Sequence, residues 1–97
     1  MKIRLDRQAR ADLKEIRDFL LEHASEAAAN KVRDHLRGRI ARLAKTPSIG
    51  VGTSDPDVRI LSPAKYPYRI YFSVRGDTIV ILHIRHTSRK IPELDNG

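Results

Sequence analysis

Residues 66–74 and 79–86, with the sequences YPYRIYFSV and IVILHIRH, are the stretches that determine the fold. Both are rich in β-branched and aromatic residues, which favour a pleated, half-buried surface. Four of the five aromatic residues lie between positions 66 and 72. The residues between the two stretches, Arg75 to Thr78, place Gly76 at the first central position of a two-residue type II′ turn. The sequence therefore predicts a β-hairpin that the rest of the chain must cover.

The length of this turn decides which side chains share a face of the hairpin. A two-residue loop pairs Val74 with Ile79 and Phe72 with Ile81, and turn chemistry favours it. Because side chains alternate between faces, one face then carries Ile70, Phe72, Val74, Ile79 and Ile81. The other face then carries Arg69, Tyr71, Ser73, Val80, Leu82, Ile84 and His86. A three-residue loop would instead place Arg69 with His83 and Arg85.

Composition narrows the class of protein. The 97 residues form one domain, residues 1–97, and about residues 90–97 are expected to be a flexible tail. The apolar runs are too short to span a bilayer, and the start of the chain has no signal-peptide pattern. The absence of cysteine fits a reducing cytoplasm. A net charge of +7 favours an anionic partner such as nucleic acid or an acidic protein.

Periodic patterns predict the remaining elements. Residues 2–5 alternate as a short strand. Apolar residues spaced by three and four predict helices over about 7–23 and 26–45, which their short connection makes an antiparallel hairpin. Residues 47–57 contain two glycines and two prolines and predict a loop, and residues 58–61 predict another strand. This order is typical of an α+β domain with a helical hairpin packed on a small antiparallel sheet.

The basic residues of the strand region are the candidates for chemistry: Arg59, Arg69, Arg85, Arg89 and His86. Guanidinium groups bind phosphate bidentately and histidine moves protons near neutral pH, so this set could hold an RNA backbone and assist its cleavage. The alternative is that the arginines are solvated or paired with carboxylates. His83 and His86 are three residues apart and would point to opposite faces of a strand. The sequence therefore predicts neither a metal nor a cofactor.

Five short motifs occur in order along the chain: Ala11-Asp12-Leu13-x-x-Ile16, Leu43-x-x-x-Pro47-x-x-Gly50, Val58-Arg59-x-Leu61, Tyr68-Arg69-Ile70-x-Phe72 and Ile81-Leu82-x-Ile84-x-His86-x-x-Arg89. None is specific alone, but together the chain resembles the ParE/RelE superfamily of toxins from bacterial type II toxin–antitoxin modules. The resemblance implies the α+β fold of that family, in which a helical hairpin packs on an antiparallel sheet.

Two functional branches follow from the resemblance. RelE-like members cleave messenger RNA on the ribosome without a metal, and Arg59, Arg69 and His86 fall where that branch places phosphate-binding and proton-transfer groups. ParE-like members poison DNA gyrase and lack the nuclease set. The terminal tyrosine of the nuclease branch is missing here, since no tyrosine follows Tyr71. This absence and the long helical hairpin favour the gyrase branch, which is not a nuclease. A non-toxic nucleic-acid-binding module is a further alternative.

The resemblance also implies an antitoxin that holds the toxin inactive and alone contacts operator DNA. The positive charge of the chain predicts that the binding segment of this partner is acidic. We expect it to cover an open sheet face carrying Tyr71, Val80, Leu82 and Ile84, a groove beside the helical hairpin and a sheet edge. The alternative is that residues 91–94 close that face. Arg59, Arg69, Arg85 and Arg89 are the expected contacts to the target, and the expected location is the cytoplasm, away from membranes.

Overall fold

The computed structural model describes residues 1–88. The predicted tail and Arg89 lie outside these residues. The elements in chain order are β1 (Lys2–Leu5), α1 (Arg7–His23), α2 (Glu26–Lys45), a 3-10 turn (Pro47–Ile49), β2 (Val51–Gly52), β3 (Arg59–Leu61), β4 (Tyr68–Arg75) and β5 (Thr78–His86). Both helices and the main hairpin are confirmed. The short strand β2 lies within the stretch predicted as loop.

The five strands form one sheet in the order β1-β5-β4-β3-β2. β2 to β5 form the predicted antiparallel sheet, and the N-terminal strand β1, for which no partner was predicted, extends it by pairing with β5 in parallel. Parallel pairing requires a long crossover, and the α1–α2 hairpin is part of the long connection between these strands. The α+β class is confirmed.

The β4–β5 turn has the predicted two-residue loop. Gly76 has a φ of 61°, and Arg75 pairs with Thr78 and Val74 with Ile79. Asp77 does not have a positive φ. A positive φ at the first central position alone is the signature of a type II′ turn, in which glycine is free of steric cost.

A β-bulge interrupts this ladder at Leu82. Phe72 lies opposite Ile81, but Tyr71 lies opposite His83, so Leu82 is the extra residue. Strict alternation after Ile81 would turn His83 into the core. Because of the bulge, the side chain of Ile84 points into the core instead. Ile84 is 2% exposed and packs in the main core.

The bulge corrects the predicted faces of the hairpin. Past Leu82, Arg69 lies opposite Arg85 and Tyr68 lies opposite His86. Opposite residues of an antiparallel pair share a face, so the predicted grouping of Arg69 with Ile84 and His86 is wrong. Arg69 instead shares its face with His83 and Arg85, the arrangement that a longer loop would have given. A bulge shifts the register by one residue, as a longer turn does. It shifts only the pairs that lie farther from the turn than the bulge itself.

The main core lies between the helical hairpin and one face of the sheet, here called the inner face. Its buried side chains come from both helices and the three central strands: Ala9, Val32, Leu36, Ile40, Leu43, Leu61, Tyr68, Ile70, Phe72, Ile79, Ile81 and Ile84. α2 begins at the N-cap Ser25, whose hydroxyl accepts a hydrogen bond from the N–H of Ala28 at 3.0 Å. Within residues 1–88, neither helix has the length and apolar character needed to cross a membrane.

Candidate functional site

The edge of β5 changes its partner halfway along the strand. β1 covers this edge as far as Leu5, which lies opposite Ile81, and the N–H of Asp6 donates to the carbonyl of Ile81 at 2.9 Å. Beyond that point, Oδ2 of Asp12 accepts a hydrogen bond from the N–H of Ile84 at 2.9 Å. Asp12 is 2% exposed. A side chain of α1 thus continues the ladder that β1 began and joins the helix to the strand that carries several candidate residues.

Asp12 also binds side chains that come from β5. Nη1 of Arg85 lies 3.4 Å from Oδ1, and Nε2 of Gln8 donates to the same oxygen at 2.9 Å. Nδ1 of His83 lies 3.8 Å from Oδ2. A carboxylate buried this deeply is stable only when it is paired and hydrogen-bonded. The guanidinium of Arg85 is therefore engaged by Asp12, which limits its use as a contact to the target.

Asp12 occurs in the first of the five sequence motifs, but no role was predicted for it. The spacing of the sequence could have indicated that Asp12 is buried. Ala9, Asp12 and Ile16 are separated by three and four residues, so they lie on one side of α1. Ala9 is completely buried and Ile16 packs against the core. A single acid within an apolar helix stripe predicts a buried polar partner, which here is supplied by β5.

Arg69 lies opposite Arg85 on the outer face of the sheet, the face turned away from the helices. Like charges in directly opposite positions repel each other, and Asp12 neutralises Arg85 alone. Among residues 1–88, no carboxylate lies within ion-pair distance of Arg69. Of the two cross-strand arginines, Arg69 is thus the one available to an external anion.

His86 lies on the inner face at the end of β5. Its ring packs edge-on against Tyr68, with ring centroids 5.4 Å apart. Nδ1 accepts a hydrogen bond from the N–H of Ser88 at 3.2 Å and lies 2.7 Å from the hydroxyl of Ser88. The ring borders a small pocket of about 160 Å³ against α1, to which Asp12 and Glu15 also contribute. This pocket, and not the outer face, is the environment of His86.

Arg59 holds the loop between α2 and β3. Its Nη2 donates to the carbonyl of Gly50, and it lies opposite Phe72 on the inner face. Gly50 is required here because a Cβ would lie 2.3 Å from Cζ of Phe72. The side chain of Arg59 thus has a structural partner in the free chain.

The structure does not bring the predicted nuclease set together. Arg69 and His86 lie on opposite faces of the sheet. Arg59 and His86 share the inner face, but Arg59 lies opposite Phe72 and His86 opposite Tyr68, so they are separated by about 13 Å along the strands. His83 and His86 also lie on opposite faces, and residues 1–88 contain no group of three potential metal-ligating side chains.

The outer face is less open than predicted. Tyr71 and Val80 are each 1% exposed, and Leu82 is half-buried. Tyr71 packs with Val58, Ile60 and Leu82 in a second, smaller cluster. The expected exposure of Tyr71 and Val80 is therefore wrong. Ile84 does not belong to this face at all, because the bulge turns it into the main core.

A second cavity, here called the hairpin groove, lies between the two helices and β1. Its volume is about 520 Å³. Its apolar walls come from Leu5 of β1, Leu13 and Ile16 of α1 and Leu36 and Ile40 of α2. Its rim carries four cations: Lys14, Arg17, Arg33 and Arg37. Lys14 is paired with Asp18 and Arg33 with Asp34, which leaves Arg17 and Arg37 as the unpaired cations of this rim among the described residues.

Comparisons with known proteins agree with this architecture. A structure described as the chromosomal ParDE toxin–antitoxin system from P. aeruginosa contains a chain that superposes with a TM-score of 0.78. The two sequences are 28% identical, and the match covers 89% of this chain and 95% of that one. No curated protein matches the sequence.

The family described as the ParE toxin of the type II toxin–antitoxin system parDE matches residues 3–91. This match includes both helices and, except for Lys2 at the start of β1, all five strands, and therefore the elements that build the Asp12 contacts and the hairpin groove. The chain belongs to the ParE toxin family of type II toxin–antitoxin systems.

Proposed function

We propose that this chain arrests bacterial growth by poisoning DNA gyrase in the cytoplasm, rather than by cleaving messenger RNA. The observation that carries the proposal is the position of Arg69 and His86 on opposite faces of the sheet. General acid–base catalysis requires its groups within hydrogen-bond reach of one substrate, and this pair does not meet that condition. Arg69 then acts as a target contact and not as a nuclease residue.

Two assays run in parallel test this proposal. With purified gyrase and supercoiled DNA, the chain should cause cleaved DNA to accumulate, and its induction in cells should start a DNA-damage response. In a translation extract it should leave messenger RNA intact. Cleavage of the RNA in the presence of ribosomes, with gyrase unaffected, would contradict the proposal. Unchanged growth on induction, together with tight binding to bare nucleic acid, would favour a non-toxic binding module.

The proposed antitoxin inserts an acidic amphipathic helix into the hairpin groove. The support is the groove itself, which combines apolar walls with a rim of cations. Helix-in-groove binding uses apolar anchors at helical spacing, and opposite charges at the rim speed the encounter. A further segment would add a strand at a sheet edge, where Val51 is 60% exposed. On the outer face, the proposed antitoxin contact is the half-buried Leu82, under which Tyr71 and Val80 are buried. Operator DNA is proposed to be bound through the antitoxin.

Charge reversal at the rim tests this assignment. Arg17→Glu with Arg37→Glu should lower the antitoxin association rate by about tenfold at low salt. Arg7→Glu with Arg10→Glu makes the same change in net charge outside the groove and should have a much smaller effect. The neighbouring reading frame supplies the partner for co-expression and purification. If the bound antitoxin leaves the backbone of the helices and of the sheet edges unprotected in hydrogen exchange, the proposed binding mode is wrong.

A further inference from the structure

A basic surface on α2 meets an aromatic residue that the sequence places far away. His35 packs edge-on against Tyr66, which lies in the connection between β3 and β4, with ring centroids 5.0 Å apart. Nζ of Lys65 lies 5.6 Å from the centroid of the Tyr66 ring. Nη1 of Arg39 donates to the carbonyl of Ser62 at the start of the same connection. These contacts fix residues 62–66 against one side of α2.

The same side of α2 carries three cations in one row with His35. Lys31, His35, Arg39 and Arg42 are spaced by four, four and three residues, so they form one row along the helix. The row extends over about 16 Å at the helical rise per residue. We call this row, together with Lys65 and Tyr66, the α2 patch. It lies apart from the hairpin groove, whose basic rim on α2 is formed by Arg33 and Arg37.

The α2 patch has no acidic counterpart within residues 1–88. None of its cations lies within ion-pair distance of a carboxylate, and the nearest acid in sequence, Asp34, is bonded to Arg33 at 3.0 Å. Burial, followed by the charges of Arg39 and Lys65, lowers the pKa of His35. Burial also lowers the pKa of Arg39. An electropositive site of this kind favours an anion.

We propose that the α2 patch binds the phosphodiester backbone of duplex nucleic acid. A row that carries the cations Lys31, Arg39 and Arg42 matches a linear polyanion, and phosphate contacts of this type depend on charge and not on base sequence. The patch has no apolar anchor, since the large exposed hydrophobic residues of the described chain lie elsewhere. A site for an acidic peptide would be expected to have such an anchor. The Tyr66 ring contacts Lys65 and the ring of His35, so it orders this part of the patch instead of offering a stacking surface to a single-stranded base.

The proposal extends the proposed function but does not depend on it, because it concerns the affinity of this chain for nucleic acid alone. Binding can be measured by fluorescence anisotropy with a labelled DNA duplex of two helical turns, at salt concentrations from about 50 to 200 mM. Lys31→Ala with Lys65→Ala should lower the affinity at the lowest salt by about tenfold and reduce the salt slope by about two. These side chains form no ion pair in the described chain, so their removal should leave the fold intact.

Lys2→Ala with Lys14→Ala is the matched control, because it removes the same charge from two lysines that are paired with Asp77 and Asp18. It should change the affinity by less than about twofold. NMR gives a second measurement on the unaltered chain, in which the ring signals of His35 should shift when duplex is added. An RNA duplex should compete with the DNA, because the backbone chemistry is shared.

Three results would overturn the proposal. The first is an absence of salt-dependent binding by the unaltered chain, and the second is an equal loss of affinity in both double variants. The third is tighter binding of polyglutamate than of the duplex, lost again in Lys31→Ala with Lys65→Ala, because this would identify an acidic-peptide site. The gyrase assay is separate from all three, so failure of this proposal and failure of the proposed function are distinguishable.

Discussion

The carboxylate of Asp12 in α1 accepts a hydrogen bond from the backbone N–H of Ile84 in β5, at 2.9 Å and almost completely buried. This single contact satisfies a strand edge that would otherwise be unpaired after β1 ends. Because the other carboxylate oxygen lies 3.4 Å from the guanidinium of Arg85, Asp12 joins the backbone of the sheet to its outer face. The helical hairpin, the bulged end of β5 and Arg85 are therefore coupled through one residue.

Replacement of Asp12 should be among the most destabilising single changes in the chain. Asp12→Ala leaves the N–H of Ile84 and the guanidinium of Arg85 without their partner, and should lower the free energy of unfolding by about 3–5 kcal/mol. Asp12→Asn retains a hydrogen-bond acceptor but loses the charge, and should cost about 1–3 kcal/mol. Urea denaturation followed by circular dichroism measures both. Asp18→Ala, which breaks an exposed pair with Lys14, is the control and should cost less than about 1 kcal/mol. Equal effects at positions 12 and 18 would show that the buried contacts contribute little.

Two glycines at and just before β2 provide a second test. At Gly50 a Cβ would lie 2.3 Å from Cζ of Phe72, a ring that is completely buried and cannot easily move. Gly50→Ala should therefore lower the free energy of unfolding by about 1–3 kcal/mol. At Gly52 a Cβ would meet no heavy atom within 4 Å, so Gly52→Ala should leave stability unchanged or raise it by up to about 1 kcal/mol. Thermal unfolding of the two variants should rank them in this order, and the reverse order would contradict the packing at Phe72.

The hairpin could be predicted from sequence up to the bulge, but not beyond it. Gly76 specifies the turn, and the alternation through Phe72 and Ile81 specifies the pairing next to it. The reason for the bulge lies outside the hairpin, because the core accepts Ile84 in place of His83 and α1 supplies Asp12 to the bulged strand. The sequence does contain a signal, since the core isoleucines of β5 are spaced by two and then by three residues. Strict alternation cannot satisfy that spacing.

For the candidate site, the sequence also predicted the residue types but not their contacts. The sequence identified the basic residues of the strands, but their faces and partners depend on the register. Arg59 contacts a carbonyl of the loop that precedes β3, and Arg85 contacts a helix carboxylate that is distant in sequence. The basic face of α2 is evident in the sequence, but its contact with the connection between β3 and β4 is not. The sequence showed no aromatic residue beside the basic face of α2, because Tyr66 reaches His35 only in the folded chain.

The pH dependence of stability should reveal the environment of His35. Burial and the charges of Arg39 and Lys65, with Tyr66 packed against the ring, lower the pKa of His35 in the folded chain below its ordinary value of 6.5. The unfolded chain then binds the proton more readily as the pH falls below 6.5, so protonation favours unfolding. The free energy of unfolding of the natural chain should therefore fall relative to that of His35→Gln as the pH is lowered through this range. At higher pH the difference between the two should be constant. Urea denaturation at each pH measures both free energies of unfolding. If the two plots of free energy against pH were parallel throughout, the lowered pKa of His35 would be contradicted.

Arg69 should be a residue whose removal lowers toxicity without lowering stability. It lies opposite Arg85 and has no carboxylate partner among residues 1–88, so Arg69→Ala relieves a cross-strand repulsion. Its free energy of unfolding should stay the same or rise by up to about 1 kcal/mol. If Arg69 contacts an anionic group of the target complex, the concentration of toxin that gives half-maximal gyrase-mediated DNA cleavage should rise by about tenfold, which corresponds to one lost charge-assisted hydrogen bond.

Arg75→Ala is the control for this last experiment, since Arg75 is an exposed arginine of the same strand and its side chain hydrogen-bonds Ser73 at 3.3 Å. Both variants lose one positive charge. If the toxin were held only by a general electrostatic attraction to gyrase-bound DNA, both variants would therefore lose activity by the same factor. A specific contact would weaken only the Arg69 variant, because the two arginines lie at opposite ends of β4. A loss of stability in Arg69→Ala would instead assign the residue a structural role. Full activity in a stable Arg69→Ala variant would remove Arg69 from the surface that contacts the target.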